Sequence, residues 1–143
     1  MDDLKPPLIK PGEYSLGFEC HETARLFNQP KLILWFTVLS EGEYHGVKLK
    51  RFYNVRSLIG KPGREGKYKP SGWTGDLIRE YAHLFGSIPD DRLDRFSLKP
   101  FKNVIITGEV KTVSRDSKKR GIPECVQYSV IERIIKAEEV EYR

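Results

Sequence analysis

Lys48, Lys50, Phe52, Asn54 and Arg56 alternate with Val47, Leu49, Tyr53 and Val55 along Gly46 to Arg56, GVKLKRFYNVR. At the two-residue period of a β-strand, the first set shares one face and the second set the other. Three cations, an aromatic ring and an amide on one face suit a single-stranded nucleic acid. A base offers a π-face to stack on Phe52, its phosphate pairs with Lys or Arg, and Asn54 reaches a base edge or sugar. The competing account is a solubilising strand face with one exposed ring, so the rest of the chain must decide.

The preceding run, Lys31 to Leu39, is strongly β-prone, with Leu32, Leu34, Phe36 and Val38 on one side and Ile33, Trp35, Thr37 and Leu39 on the other. SEGEYHG, residues 40–46, brings glycine at both Gly42 and Gly46 and is read as the hairpin turn between these strands. If the inward sets meet, Trp35 joins Phe52 and the lysines on the outer surface. Burial of Trp35 under a loop or helix is the structural alternative.

Residues 57–75, SLIGKPGREGKYKPSGWTG, hold five glycines and two prolines around Lys61, Arg64, Lys67, Lys69, Tyr68 and Trp73. They read as a long mobile loop able to close over a bound strand, with Lys61, Arg64, Lys67, Tyr68 and Trp73 as contacts. A second basic loop, 114–123, puts Lys118, Lys119 and Arg120 at its tip.

Around these segments the chain reads as follows. Residues 1–11 form a proline-broken arm. Gly12–Cys20 is a half-buried strand, and residues 21–30 are a connection with a short helical turn and a proline stop. DLIREYAHLF, Asp76 to Phe85, is an amphipathic helix closed by Gly86. Asn103–Val113 is a strand in which Gly108 permits a bulge or bend, and Glu124 to about Ile135 is the last strand. The acidic tail, 136–143, is expected to fray.

At 143 residues, with 38% hydrophobic and 31% charged side chains, the chain suits one soluble domain, and no apolar run reaches a membrane-spanning length. The start lacks a secretory pattern, so the expected compartment is the cytoplasm. Cys20 and Cys125, without a CxxC, are expected to be reduced and structural. His21, His45 and His83 lack metal-ligand spacing, and Asp90, Asp91 and Asp94 read as a surface turn balanced by Arg92 and Arg95. No nucleophile–base pair, phosphate loop or paired catalytic carboxylates can be picked out. A non-catalytic protein with no cofactor or metal is therefore expected.

Charge is concentrated in the middle of the chain. Residues 1–47 hold 4 Lys/Arg against 7 Asp/Glu, residues 48–120 hold 18 against 8, and residues 121–143 hold 3 against 5, within a net charge of +5. Between 48 and 69, eight cations face only Glu65. Such a field attracts a polyanion by releasing its counterions.

The order strand, strand, strand, helix, strand, strand is that of the OB-fold. This is a five-stranded Greek-key barrel that binds oligonucleotides or oligosaccharides on its second and third strands and on adjoining loops. The expected fold is therefore mainly β: one OB-fold domain over 1–143, with the helix between strands three and four. PGEY (Pro11 to Tyr14), PKLILWF (Pro30 to Phe36), EGEYHGVKLKRFYNV (Glu41 to Val55), IREY (Ile78 to Tyr81) and QYSVIERI (Gln127 to Ile134) add a resemblance. Together they resemble a bacterial family of single-stranded-DNA-binding OB-fold proteins carried on integrative mobile elements and phages. The resemblance implies a role in replication, recombination or transfer of the element's DNA, with proteins of those processes as partners. Single-stranded DNA is the expected ligand. RNA, self-association, and an adaptor role in a nucleic-acid-processing complex are alternatives the residues leave open.

Overall fold

A computed structural model describes residues 7–72, 75–86, 96–114, 120–121, 123 and 127–139. Seven strands form one antiparallel sheet: β1 (Gly12–Leu26), β2 (Gln29–Val38), β3 (Lys48–Ile59), β4 (Gly63–Arg64), β5 (Lys67–Pro70), β6 (Val104–Val113) and β7 (Tyr128–Glu139). A single helix, α1 (Asp76–Phe85), and a 3₁₀ turn at Lys99–Asn103 complete the described elements. The strand order is β5-β3-β2-β1-β6-β7, with β4 paired to β1. The sheet is open: β3 and β7 approach each other, but no hydrogen-bonded ladder joins them.

The alternation that defines the strands also builds the core. Leu32, Leu34, Phe36 and Val38 of β2 meet Leu49, Tyr53 and Val55 of β3, and Leu16, Ile106, Val110, Ile131 and Ile134 join them from the other long strands. Helix α1 covers this layer with Leu77, while Tyr81, Leu84 and Phe85 pack at its margin. Phe101 lies among the rings of Phe18, Phe36, Tyr81 and Phe85 at centroid distances of 5.0–6.4 Å. Gly108 sits at a register shift between β6 and β7. A Cβ there would come within 2.7 Å of the Leu16 side chain, so any larger residue would have to push on that buried leucine where β1 packs on β6.

Three segments differ from the sequence reading. Residues 21–26 are not a connection: β1 runs on to Leu26, and only Phe27 and Asn28 separate it from β2. The alternation is hidden because a bulge between Phe18 and Cys20 shifts the parity. The inward positions beyond it are His21 and Thr23, whose polar atoms meet Gly66 O at 3.1 Å and Gly63 N at 3.3 Å. Residues 57–70 are not a structureless loop. β3 continues to Ile59, β4 pairs with Glu22 and Thr23 of β1, and β5 folds back on β3. Gly60, Gly63 and Glu65 take positive φ values of 73°, 142° and 58° and make the reversals. Finally, residues 136–139 of the expected fraying tail continue β7, pairing with Val104 to Thr107.

Among the described residues, no helix is long and apolar enough to cross a membrane.

Candidate nucleic-acid interface

Strand pairing fixes the outer surface of β1, β2 and β3 row by row. Gly17, Thr37 and Lys48 form one row, then Cys20, Trp35 and Lys50, then Glu22, Ile33 and Phe52, then Ala24, Lys31 and Asn54. Leu49, Tyr53 and Val55 are buried on the opposite face while Lys48, Asn54 and Arg56 are exposed, so the strand parity read from the sequence holds. Trp35 and Phe52 are half-buried on either side of Ile33, which is only 4% exposed. The centre of the face is therefore apolar and aromatic, with cations around it.

The polar contacts decide what this surface is able to do. The Lys50 ammonium lies 4.6 Å from the Trp35 ring centroid, and the Trp35 indole N–H donates to Glu22 Oε1 at 2.8 Å, holding the ring in place. A base arriving on Trp35 must displace or share that ammonium. An exposed cation–π contact is worth about 0.5–1 kcal/mol and base stacking on an aromatic side chain about 1–3 kcal/mol, so stacking wins and releases Lys50 toward phosphate. Lys48 donates to Glu19 at 2.5 Å and to the Thr37 hydroxyl at 2.8 Å. These bonds from Lys48, and then from Thr37, hold the Glu19 carboxyl below the usual range. Lys31 donates to the Asn54 side-chain oxygen. Arg56 is exposed with no ion pair or hydrogen bond among the described residues.

Glu19, Glu22 and Lys31 belong to this face although the sequence reading did not include them, and Ile33 lies on it as the alternation with Trp35 implied. Extending β1 past Cys20 would have revealed Glu22, whereas Glu19 already lay within the strand read over Gly12–Cys20. Arg51, counted among the central cations, is not available to a ligand. It lies on the core side of β3, 8% exposed, and is ion-paired with Glu80.

The β4–β5 hairpin separates its candidates. Lys61, Arg64 and Lys67 are exposed at the sheet end. Tyr68 instead turns inward, with its ring centroid 6.0 Å from that of His21 and 6.5 Å from that of Phe96, and burial pushes its phenol well up. It braces the hairpin against the core and offers no stacking platform. Arg120 is exposed, whereas Trp73, Lys118 and Lys119 lie outside the described residues, as do Cys125 and the Asp90, Asp91 and Asp94 turn. Cys20 is a half-buried free thiol, and burial pushes its pKa up, away from a reactive thiolate. Among the described residues, no group of three or more His, Cys, Asp or Glu is arranged to hold a metal ion.

Comparison with known proteins finds no family model, no curated protein and no solved structure that matches the chain.

Proposed function

We propose that the protein binds single-stranded DNA across the outer face of β1, β2 and β3, with little sequence preference and without chemistry on the strand. The observation that carries this reading is the Trp35–Ile33–Phe52 strip, flanked by Lys50 and Lys48 on one side and Lys31, Asn54 and Arg56 on the other. Half-buried rings supply stacking surfaces that any base fits, and the surrounding cations supply phosphate contacts. Few groups remain to read base edges, because Asn54 is engaged by Lys31.

The strand order supports an OB-type barrel as the frame. The long strands run β3-β2-β1-β6-β7, with α1 between β3 and β6 in sequence, and β7 comes back beside β3. The resemblance to mobile-element and phage proteins gives this activity a setting in cytoplasmic replication, recombination or transfer of DNA. A second reading, an adaptor that uses the same face for a protein, draws on Glu19 and Glu22, which give the surface a mixed charge.

Fluorescence titration with single-stranded and duplex oligonucleotides of equal length tests the proposal. Tighter single-strand binding is expected. With about 4–6 phosphates engaged, log affinity falls against log salt with a slope of about −3 to −4. A flat salt response, or tighter binding to duplex, overturns the reading.

A further inference from the structure

Between β1 and β2 the chain reverses in two residues, Phe27 and Asn28, with Leu26 paired to Gln29. Their φ values are 53° and 63°. A two-residue hairpin turn with both central residues at positive φ favours Asn and Gly. Asn28 fits that demand and Phe27 does not, because a bulky side chain avoids the left-handed region. Packing gives no compensation: Phe27 is 82% exposed, the largest exposure among the exposed large hydrophobic side chains. The fold thus keeps an apolar ring in water, on backbone that disfavours it, at a site where Asn would serve the turn better. Residues that break a local rule without a folding gain mark function.

The surroundings indicate what the ring meets. The turn continues the outer face beyond the row of Ala24, Lys31 and Asn54. Arg56, which shares the outward parity of Phe52 and Asn54 on β3, is exposed with no ion pair or hydrogen bond among the described residues. An exposed ring at the end of the sheet that carries Trp35 and Phe52, with an unpaired cation on that same face, suits a stacking platform for a strand that runs along it.

We propose that Phe27 is a base-stacking residue that holds the end of a single strand running along the β1–β2–β3 face, an assignment that rests on the single-strand reading above. The test compares wild type, Phe27→Asn and Phe27→Trp by thermal melting and by titration with oligothymidylates of increasing length. Phe27→Asn relaxes the turn, so its melting temperature rises by about 2–4 °C. Its affinity for long strands falls about ten-fold, while for strands too short to reach the turn it matches wild type. Phe27→Trp keeps the long-strand affinity, and its added indole emission is quenched on binding. A Phe27→Asn protein that binds long strands like wild type, or that melts lower, overturns the proposal while leaving the central face intact. A wild-type protein that binds no single strand overturns both.

Discussion

Phe52 and Tyr53 are neighbours with opposite duties. Phe52 is half-buried on the outer face beside Ile33, whereas Tyr53 is 2% exposed and donates its hydroxyl to Glu80 at 2.8 Å. Phe52→Ala is expected to lose about 1–3 kcal/mol of oligonucleotide binding with a small change in melting temperature. Tyr53→Ala leaves a cavity and removes one of the donors to the Glu80 carboxylate, and is expected to destabilise by about 3–5 kcal/mol. Measuring affinity and unfolding for both variants checks the register; exchanged phenotypes would invert it. Glu19 supplies the converse experiment. Its carboxylate occupies Lys48, and an exposed pair of this kind contributes only about 0–1 kcal/mol to stability. Glu19→Gln should therefore leave folding nearly unchanged, strengthen single-strand binding, and steepen the salt slope by roughly the contribution of one phosphate contact. Weaker binding by this variant would mean that Glu19 positions Lys48 and does not compete for it.

Helix α1 contributes more than a core lid. Glu80 accepts from Arg51 of β3, from Tyr53, and from the backbone N–H of Ile134 in β7 at 3.2 Å. It thereby spans the two strands that no ladder joins. The Arg51 guanidinium also lies 4.3 Å from the Tyr53 ring centroid and donates to Phe52 O at 3.0 Å. Replacing Glu80 with Ala strands a buried cation, so a loss of about 3–5 kcal/mol is expected in urea unfolding. An Arg51→Met, Glu80→Leu double variant should recover much of that loss; equal stability of Glu80→Ala and wild type would refute the bridging role. This helix was legible in the sequence, from Asp76 to Phe85, because a 3.6-residue stripe and a terminal glycine are local signals. The alternation of β2 and β3, and hence the outward set of Lys48, Lys50, Phe52 and Asn54, was legible for the same reason. What could not be read depends on distant partners. β4 is two residues long and exists through its pairing with Glu22 and Thr23, while the inward turn of Tyr68 depends on His21 and Phe96. The Arg51–Glu80 pair joins two elements whose meeting no local pattern announces.

At the scale of the whole molecule, four phenols among the described residues share one response to pH. Burial raises Tyr53 well above its ordinary 10.0 and also raises Tyr68, Tyr81 and Tyr14. A tyrosine whose folded pKa lies above its unfolded value binds its proton more tightly when folded. The associated stability is present below about pH 10 and lost as pH rises above it. Denaturation midpoints should hold up to about that pH and then fall, with tyrosinate absorbance lagging until unfolding; an unchanged midpoint through the alkaline range would contradict the burial of these rings. The segment that leads into β1 is tied to β7, and β1 itself to β6. Ser129 N donates to Pro7 O at 2.9 Å, its hydroxyl accepts from Ile9 N at 2.8 Å, and Gly12 pairs with Val110 of β6. During synthesis at about 5–20 residues per second, β1 is made before β6 and β7, so β1 lacks its β6 partner, and the segment before it lacks β7, for about 5–25 seconds. Through that interval an unpaired strand edge waits for its partner, so the yield of folded protein should respond to translation speed and to holding chaperones more than its equilibrium stability would suggest.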